Sequence, residues 1–317
     1  MPRRWTETLE ALAESTVIRG ALGLALAALG LSVLRHLAAE VRPEDIARDL
    51  AATPLRDILL ALAATAISFL ALGGYDVVTA PPGLLPRRLA MLGGAAGYAV
   101  SNLFGVSWLT GGLLRHRIYA PRGIDAVRVA SMIGAVWFGF WLAILTLIGL
   151  ILLSAFDMPR GVFGLQGLPA RALGAVLLAI VAAGVALSGP DGRKVPLGHW
   201  SITLPGRGQV LRVMALALAD VLGAAVALYG LLPAEVTTSF AVFFVVFVAA
   251  LGLGVASHAP GGLGVFEATL VAGLGAAGRS DVLAALLVYR LIYYLLPFVV
   301  LFIPALMAMR RQSGRGR

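Results

Sequence analysis

The 317 residues include no cysteine, which excludes disulfides and thiolate-bound metal. The four histidines, His36, His116, His199 and His258, are scattered with no pair at ligand spacing, so no zinc or iron site is expected. Neither a Gly-x-x-x-x-Gly-Lys-[Ser/Thr] phosphate loop nor a Gly-x-Ser-x-Gly nucleophile elbow occurs, and no cofactor is expected. Charge is sparse. Asp, Glu, Lys and Arg make up 13% of the chain, against roughly 25% in a soluble protein. Hydrophobic residues reach 60%, and mean hydropathy is +0.92. So few charges cannot cover so large an apolar fraction in water; the bilayer is the solvent that tolerates it. The net charge of +9 comes almost wholly from arginine, with Lys194 the single lysine. These basic residues sit between apolar stretches, where the positive-inside rule accounts for them, and nucleic acid is not an expected partner.

A spanning helix needs about 20 mostly apolar residues. Full spans are expected at 17–37, 57–78, 129–154, 170–188, 209–232 and 281–308. The first of these is too long for a secretory h-region of roughly 7–15 residues. Before it, residues 1–16 read as an interfacial amphipathic helix with Trp5, Leu9 and Leu12 on one face. Residues 17–309 form one transmembrane domain, and 310–317 a basic cytoplasmic tail. Two apolar regions are interrupted: 89–119 around Asn102–Gly112, and 239–279 at His258–Gly264.

Loop charges set the orientation. Arg3-Arg4 and the basic tail place both termini in the cytoplasm, as do Arg87, Arg88, Arg115, Arg117, Arg122, Arg193, Lys194 and Arg207 for their loops. The acidic loop at 38–56 and Glu235 suit the outside. These placements agree when the two interrupted regions are re-entrant hairpins, one from each face. Eight continuous spans would put basic loops outside. The expected fold is therefore all-α: a polytopic helical membrane protein with about six full spans and two opposed re-entrant hairpins, or else eight spans. Ala99-Val-Ser-Asn-Leu before Gly111-Gly112 echoes Val255-Ala-Ser-His-Ala before Gly261-Gly262, which raises an inverted repeat. Broken helices in opposed halves are a pointer to a transporter substrate site.

Ionisable groups inside spans cost several kcal/mol unless paired or wet, so each is a candidate. Glu267 stands in the first turn of a helix expected to start near Leu263 to Val265, after Pro260, Gly261, Gly262 and Gly264. There the helix dipole favours a carboxylate, and free amides can hold a lipid phosphate; the bland alternative is a helix cap. Arg290 shares a helical face with Tyr293, Tyr294 and Pro297, and suits a phosphate or a structural partner in Glu267 or Asp220. Asp220 is mid-span, too short to snorkel. Asp76 beside Tyr75, together with Arg115 and Arg117, can hold a charged or zwitterionic headgroup, with Arg117 more simply a topological charge. Asn102, Trp108 and Thr110 fall in the first break and His258 in the second. The aromatic runs Trp137–Trp141 and Phe243, Phe244 and Phe247 read as packing or lipid-facing surface.

Ser257-His-Ala-Pro-Gly-Gly-Leu-Gly-Val-Phe-Glu267, followed by Val288-Tyr-Arg-Leu-Ile-Tyr-Tyr-Leu-Leu-Pro297, resembles the lysylphosphatidylglycerol synthase transmembrane region family. Tyr75-Asp76 and the stretch from Ser101-Asn102 to Arg115-His-Arg-Ile-Tyr119 resemble the branch that includes the flippase half of the bacterial multiple peptide resistance factor. The resemblance covers most of 57–305. It implies movement of aminoacylated phosphatidylglycerol from the inner to the outer leaflet of the cell membrane, which protects against cationic antimicrobial peptides. It also implies that Asp76, Arg115 and Glu267 matter for lipid handling. The chain departs from full-length members in having no acyltransferase-like domain, so no synthase activity is expected.

Three functions compete. A flippase needs polar stations across the membrane, supplied by Asp76, Arg115, Asp220, Glu267 and Arg290, and is the expected function, without an enzymatic step. An integral membrane transferase with Glu267 or Asp220 as base would need a pocket for a soluble donor. An accessory subunit would serve a separately encoded aminoacyl-lipid synthase. A phospholipid is the expected partner in every case, and a homodimer is an assembly that all three allow.

Overall fold

The structure is a computed structural model that describes residues 43–104, 107–154, 167–190, 192–197, 200–237, 239–257 and 260–313. The expected interfacial helix at 1–16, the span at 17–37, the last residues of the basic tail and His258 lie outside the described residues.

After a short helix, α1 (Pro43–Ala52), the chain runs through α2 (Leu55–Thr79), α3 (Arg87–Phe104), α4 (Ser107–Tyr119), α5 (Ala126–Leu153) and α6 (Leu168–Leu187). A strand pair, β1 (Arg193–Leu197) and β2 (Trp200–Leu204), leads to α7 (Arg207–Tyr229), α8 (Phe240–Ala256), α9 (Val265–Gly273) and α10 (Ser280–Tyr289). A π-helical segment, Arg290–Leu295, then joins α10 to α11 (Leu296–Ser313). Five helical stretches among the described residues are long and apolar enough to cross a membrane: Leu55–Thr79, Ala126–Leu153, Leu168–Leu187, Arg207–Tyr229 and Ser280–Ala308. Each coincides with an expected span, so the chain is a multi-pass helical membrane protein. The one departure from all-α among the described residues is the antiparallel β1–β2 pair, with Leu197 opposite Trp200. It occupies the Pro- and Gly-containing loop between α6 and α7.

Local chemistry sets the ends. Pro54 precedes α2, and Pro81-Pro82 follow it, where a helix cannot continue. The Asp125 carboxylate accepts the Arg128 backbone N–H at 2.8 Å and caps α5. Pro169 stands in the first turn of α6, where its missing N–H costs nothing.

Both interrupted regions fold back on themselves. In the first, Gly97 approaches both Gly111 and Arg115, and Gly93 lies against Tyr119. Residue numbers fall on one arm as they rise on the other, so α3 and α4 form an antiparallel hairpin. In the second, Gly254 lies against Gly262 and Phe266, and Val246 against Gly273, which makes α8 and α9 a second antiparallel hairpin. The hairpins touch at their turns: a Cβ on Gly261 would stand 2.9 Å from the carbonyl oxygen of Asn102, at the end of α3.

At the centre α2 packs on α7 and on α3, while α11 closes over α3. Gly223 of α7 lets that helix approach α2 so closely that a Cβ there would lie 2.9 Å from the Ala64 carbonyl oxygen. Close approach through small residues is how helices associate when lipid is as apolar as the side chains. Phe243, Phe244 and Phe247 are buried in the core, which settles them as packing residues, whereas Trp141 is exposed. Helix α6 packs on α5 and turns Leu173, Val176 and Ile180 outward, the surface of a helix bathed in hydrocarbon.

Candidate functional site

Three polar groups lie inside this apolar framework. The first joins the α3–α4 hairpin to α2. The Arg115 Nε donates to Asp76 Oδ2 at 2.8 Å and to Oδ1 at 3.2 Å, and Arg115 Nη2 donates to the Gly94 carbonyl at 3.2 Å. The Tyr119 hydroxyl donates to Asp76 Oδ2 at 2.6 Å. The guanidinium lies over the Tyr98 ring, 4.4 Å from its centroid. Asp76 and Arg115 are each 2% exposed, so the pair is buried rather than set at the surface. Glycine makes the space: a Cβ on Gly97 would stand 2.7 Å from Arg115 Nη1, and one on Gly94 would be 3.0 Å from Asp76. Arg117, by contrast, is exposed.

The second group centres on Asp220 of α7. Ser68 of α2 donates to Asp220 Oδ1 at 2.6 Å, and the Tyr293 hydroxyl lies 2.8 Å from Ser68 Oγ and 3.3 Å from Asp220 Oδ1. The Tyr75 hydroxyl reaches Asp220 Oδ2 at 3.5 Å. All of these partners are hydroxyls.

The third group stands where the hairpin turns meet. Gly261, Gly262 and Gly264 all have positive φ (59°, 64° and 82°), conformations that glycine adopts without steric cost. They let the chain reverse and start α9 at Val265, with Glu267 in its first turn. The Gly264 N–H donates to Glu267 Oε2 at 2.8 Å, the reciprocal half of a capping box. Gly264 has no side chain to supply the other half. The Arg290 Nε donates to Glu267 Oε1 at 2.6 Å, Nη2 lies 2.5 Å from the same oxygen, and Nη1 donates to the Gly261 carbonyl at 2.5 Å. Nη2 is close enough for ion pairing but poorly aligned for a hydrogen bond. Glu267 is thus both helix cap and counter-ion.

The structure places Tyr75, Asp76, Arg115, Asp220, Gly261, Gly262, Gly264, Glu267, Arg290 and Tyr293 in these groups. Asn102 contributes its backbone carbonyl at the junction, beside Gly261. Thr110 is half-buried on α4. One expectation needs correction. Arg290 and Tyr294 share a face as expected, but Tyr293 leaves it in a segment that is π-helical: the Leu296 N–H bonds back five residues to Leu291. The Arg290 guanidinium lies over the Tyr294 ring, 4.2 Å from the ring centroid, while Tyr293 turns to Asp220. Such π-turns cluster at functional positions.

Sequence reading missed Ser68, Tyr98, Tyr119 and Tyr289 as members. Ser68 lies two turns before Tyr75, and Tyr119 one turn after Arg115, so helical spacing carried a signal for both. Aromatic contacts link the groups. Tyr75 packs on Tyr98 at 5.7 Å, and Tyr293 on Tyr294 at 5.5 Å and on Tyr289 at 5.2 Å.

No family model matches the chain. Among curated proteins it is 31% identical over 241 residues to the uncharacterized protein slr0712 of Synechocystis, covering 75% of this chain and 74% of that one. It is 28% identical over 256 residues to the inner membrane protein YbhN of Escherichia coli, covering 78% of each. At that identity and coverage, the buried polar groups described above sit in a chain that belongs to the family of slr0712.

Proposed function

We propose that this chain is a lipid translocator of the inner (plasma) membrane, moving a headgroup that carries both an anion and a cation between leaflets. The observation that carries the reading is the Glu267–Arg290 pair, buried where the two hairpin turns meet. Charges at that depth cost several kcal/mol and mark substrate paths. Non-helical backbone at such depth is tolerated where it lines a protein-enclosed route.

Two buried arginine–carboxylate pairs suit a zwitterionic headgroup. The lipid phosphate can replace the carboxylate on Arg115 or Arg290 while the lipid amine takes the freed Asp76 or Glu267. Every charge then keeps a partner during the exchange, which avoids the penalty of an isolated buried ion. A purely anionic headgroup would leave a carboxylate stranded. Aminoacylated phosphatidylglycerol has the required chemistry, in keeping with the resemblance to the lysylphosphatidylglycerol synthase transmembrane region.

In this reading the α3–α4 hairpin enters from the cytoplasm and the α8–α9 hairpin from outside, with both termini cytoplasmic. The second arm of each hairpin is too short to span: α4, with 13 residues, and α9, with 9, rise about 20 Å and about 14 Å against a hydrocarbon core of about 30 Å. The pairing of one hairpin with Asp76 and of the other with Arg290 fits an inverted repeat. The E. coli relative is named as an inner membrane protein, and we assign the same membrane here. No chemical step is assigned to any residue. A separate synthase would supply the lipid, and the translocator works as a monomer or homodimer.

The test is a leaflet-sidedness assay in liposomes. Wild-type protein should expose aminoacylated lipid on the far leaflet, and Glu267→Ala should abolish that exposure at equal incorporation. Wild-type exposure in the variant would remove Glu267 from the path.

A further inference from the structure

Three buried carboxylates stand with two guanidiniums in these groups, Arg115 buried and Arg290 largely so. Two of the carboxylates are each paired with an arginine, which can only donate, although Asp76 also accepts from the Tyr119 hydroxyl. Asp76 accepts twice from Arg115 Nε, and Glu267 accepts from the Gly264 amide and from Arg290 Nε. Protonating either would strip an arginine of its counter-charge. Asp220 differs: Ser68, Tyr75 and Tyr293 offer only hydroxyls, which both donate and accept.

The Asp220 network can therefore reverse. With Asp220 ionised, Ser68 donates to Oδ1 and accepts from Tyr293. With Asp220 protonated on Oδ1, the acid donates to Ser68 Oγ, and Ser68 donates onward to Tyr293. Either atom of the Ser68–Tyr293 contact can be the donor, so no heavy atom has to move. We propose that Asp220, with Ser68, Tyr75 and Tyr293, is a proton-binding site at which one proton exchanges against the net positive charge of the transported headgroup. This rests on the translocator reading above.

The charge balance supports the exchange. With Asp220 ionised, the three groups hold one more negative charge than positive, which suits a headgroup with one phosphate and two amines, such as that of lysyl-phosphatidylglycerol, with the second amine facing Asp220. Protonation removes that excess and releases it. The proton adds to a carboxylate oxygen and leaves from the same atom, and no other bond changes. The surroundings carry the effect to both ion pairs: Tyr75 packs on Tyr98 beneath Arg115, and Tyr293 on Tyr294 beneath Arg290.

The other ionisable groups facing α7 do not compete. From α2 these are Tyr75 and the Arg115-bound Asp76; from α10 and the π-segment, Tyr289, Tyr293, Tyr294 and the Glu267-bound Arg290. Helices α5 and α6 offer only the exposed Arg128 and Arg171, and α8 has none. The site suits a proton rather than a sodium ion. Direct hydrogen bonds of 2.6 and 2.8 Å join the oxygens and leave no room for a cation between them.

Two measurements test the proposal on the full chain. In liposomes with an imposed pH gradient and lysyl-phosphatidylglycerol as probe lipid, wild-type protein should accumulate the lipid in the leaflet on the acidic side. Asp220→Asn should lose that response entirely, and replacing sodium by potassium at fixed pH should change nothing. A gradient response in Asp220→Asn equal to wild type, or a sodium dependence, would overturn the proposal. The second measurement needs no transport. Infrared difference spectra between acid and neutral pH should show a protonated-carboxyl C=O band that disappears in Asp220→Asn. Ser68→Ala, which keeps Asp220, should move the frequency of that band. A band that persists in Asp220→Asn, or that ignores Ser68→Ala, refutes the proton site. A band that behaves as expected in a protein that moves no lipid supports the proton site and refutes translocation and the exchange coupled to it.

Discussion

Neutralising one partner of the Glu267–Arg290 pair should cost far more than neutralising both. In Glu267→Gln the guanidinium remains, 14% exposed in its side chain, and keeps its bond to the Gly261 carbonyl. The new amide can accept from Arg290 or offer its oxygen to the Gly264 N–H, but it cannot serve both as the carboxylate does. Stranding a buried ion costs about 3–5 kcal/mol, or roughly two to four powers of ten in the folding equilibrium. Arg290→Gln should fall at the lower end, because the start of α9 still favours the remaining carboxylate. Glu267→Gln with Arg290→Gln replaces the ion pair by two amides that can bond to each other. It should recover at least about 2 kcal/mol relative to the sum of the single losses, the coupling expected of contacting residues. Equilibrium unfolding in mixed micelles, followed by tryptophan fluorescence and far-UV circular dichroism, measures this. The same double variant should move no lipid, since neither a phosphate nor an amine finds its counter-ion. Additive stability losses would refute the pairing; a stable double variant with wild-type transport would refute its role.

Further predictions follow from the same geometry. Gly97→Ala puts a methyl within 2.7 Å of Arg115 Nη1; it should destabilise by about 1–3 kcal/mol in micelle unfolding and reduce lipid exposure. Tyr119→Phe removes one hydrogen bond to Asp76 and leaves its charge partner, so unfolding should register only about 1.5–3 kcal/mol. Single cysteines in this cysteine-free chain report topology: Arg87→Cys and Arg117→Cys should label from the cytoplasmic face, and Glu235→Cys and Ala277→Cys from the outside. Labelling of Arg87→Cys and Arg117→Cys from opposite faces would make the region between them a single crossing rather than a re-entrant hairpin.

The spans were legible because apolar length is a local property. Each described span matches a run that hydrophobicity alone marks out, and the breaks declare themselves through Pro260, Gly261, Gly262 and Gly264. That Glu267 opens a helix was legible for the same reason. Partner choice was not, because it is set by tertiary packing: Asp220 meets Ser68, 152 residues away. The sequence left Arg290 between Glu267 and Asp220. The π-turn decides by sending Arg290 to Glu267 and Tyr293 to Asp220, and its five-residue step departs from the helical period by which shared faces are read. The β1–β2 pair was hidden by the Pro and Gly content of its loop.

The central claim is that a headgroup bearing both charges crosses by exchanging into the Glu267–Arg290 pair. It is tested most directly by comparing, in one liposome preparation, the leaflet exchange of lysyl-phosphatidylglycerol and phosphatidylglycerol with wild-type protein and with the Glu267→Gln, Arg290→Gln double variant. The account predicts rapid exchange of the aminoacylated lipid by wild type, little of phosphatidylglycerol, and neither by the variant. Equal exchange of both lipids, or exchange by the variant at the wild-type rate, would contradict it.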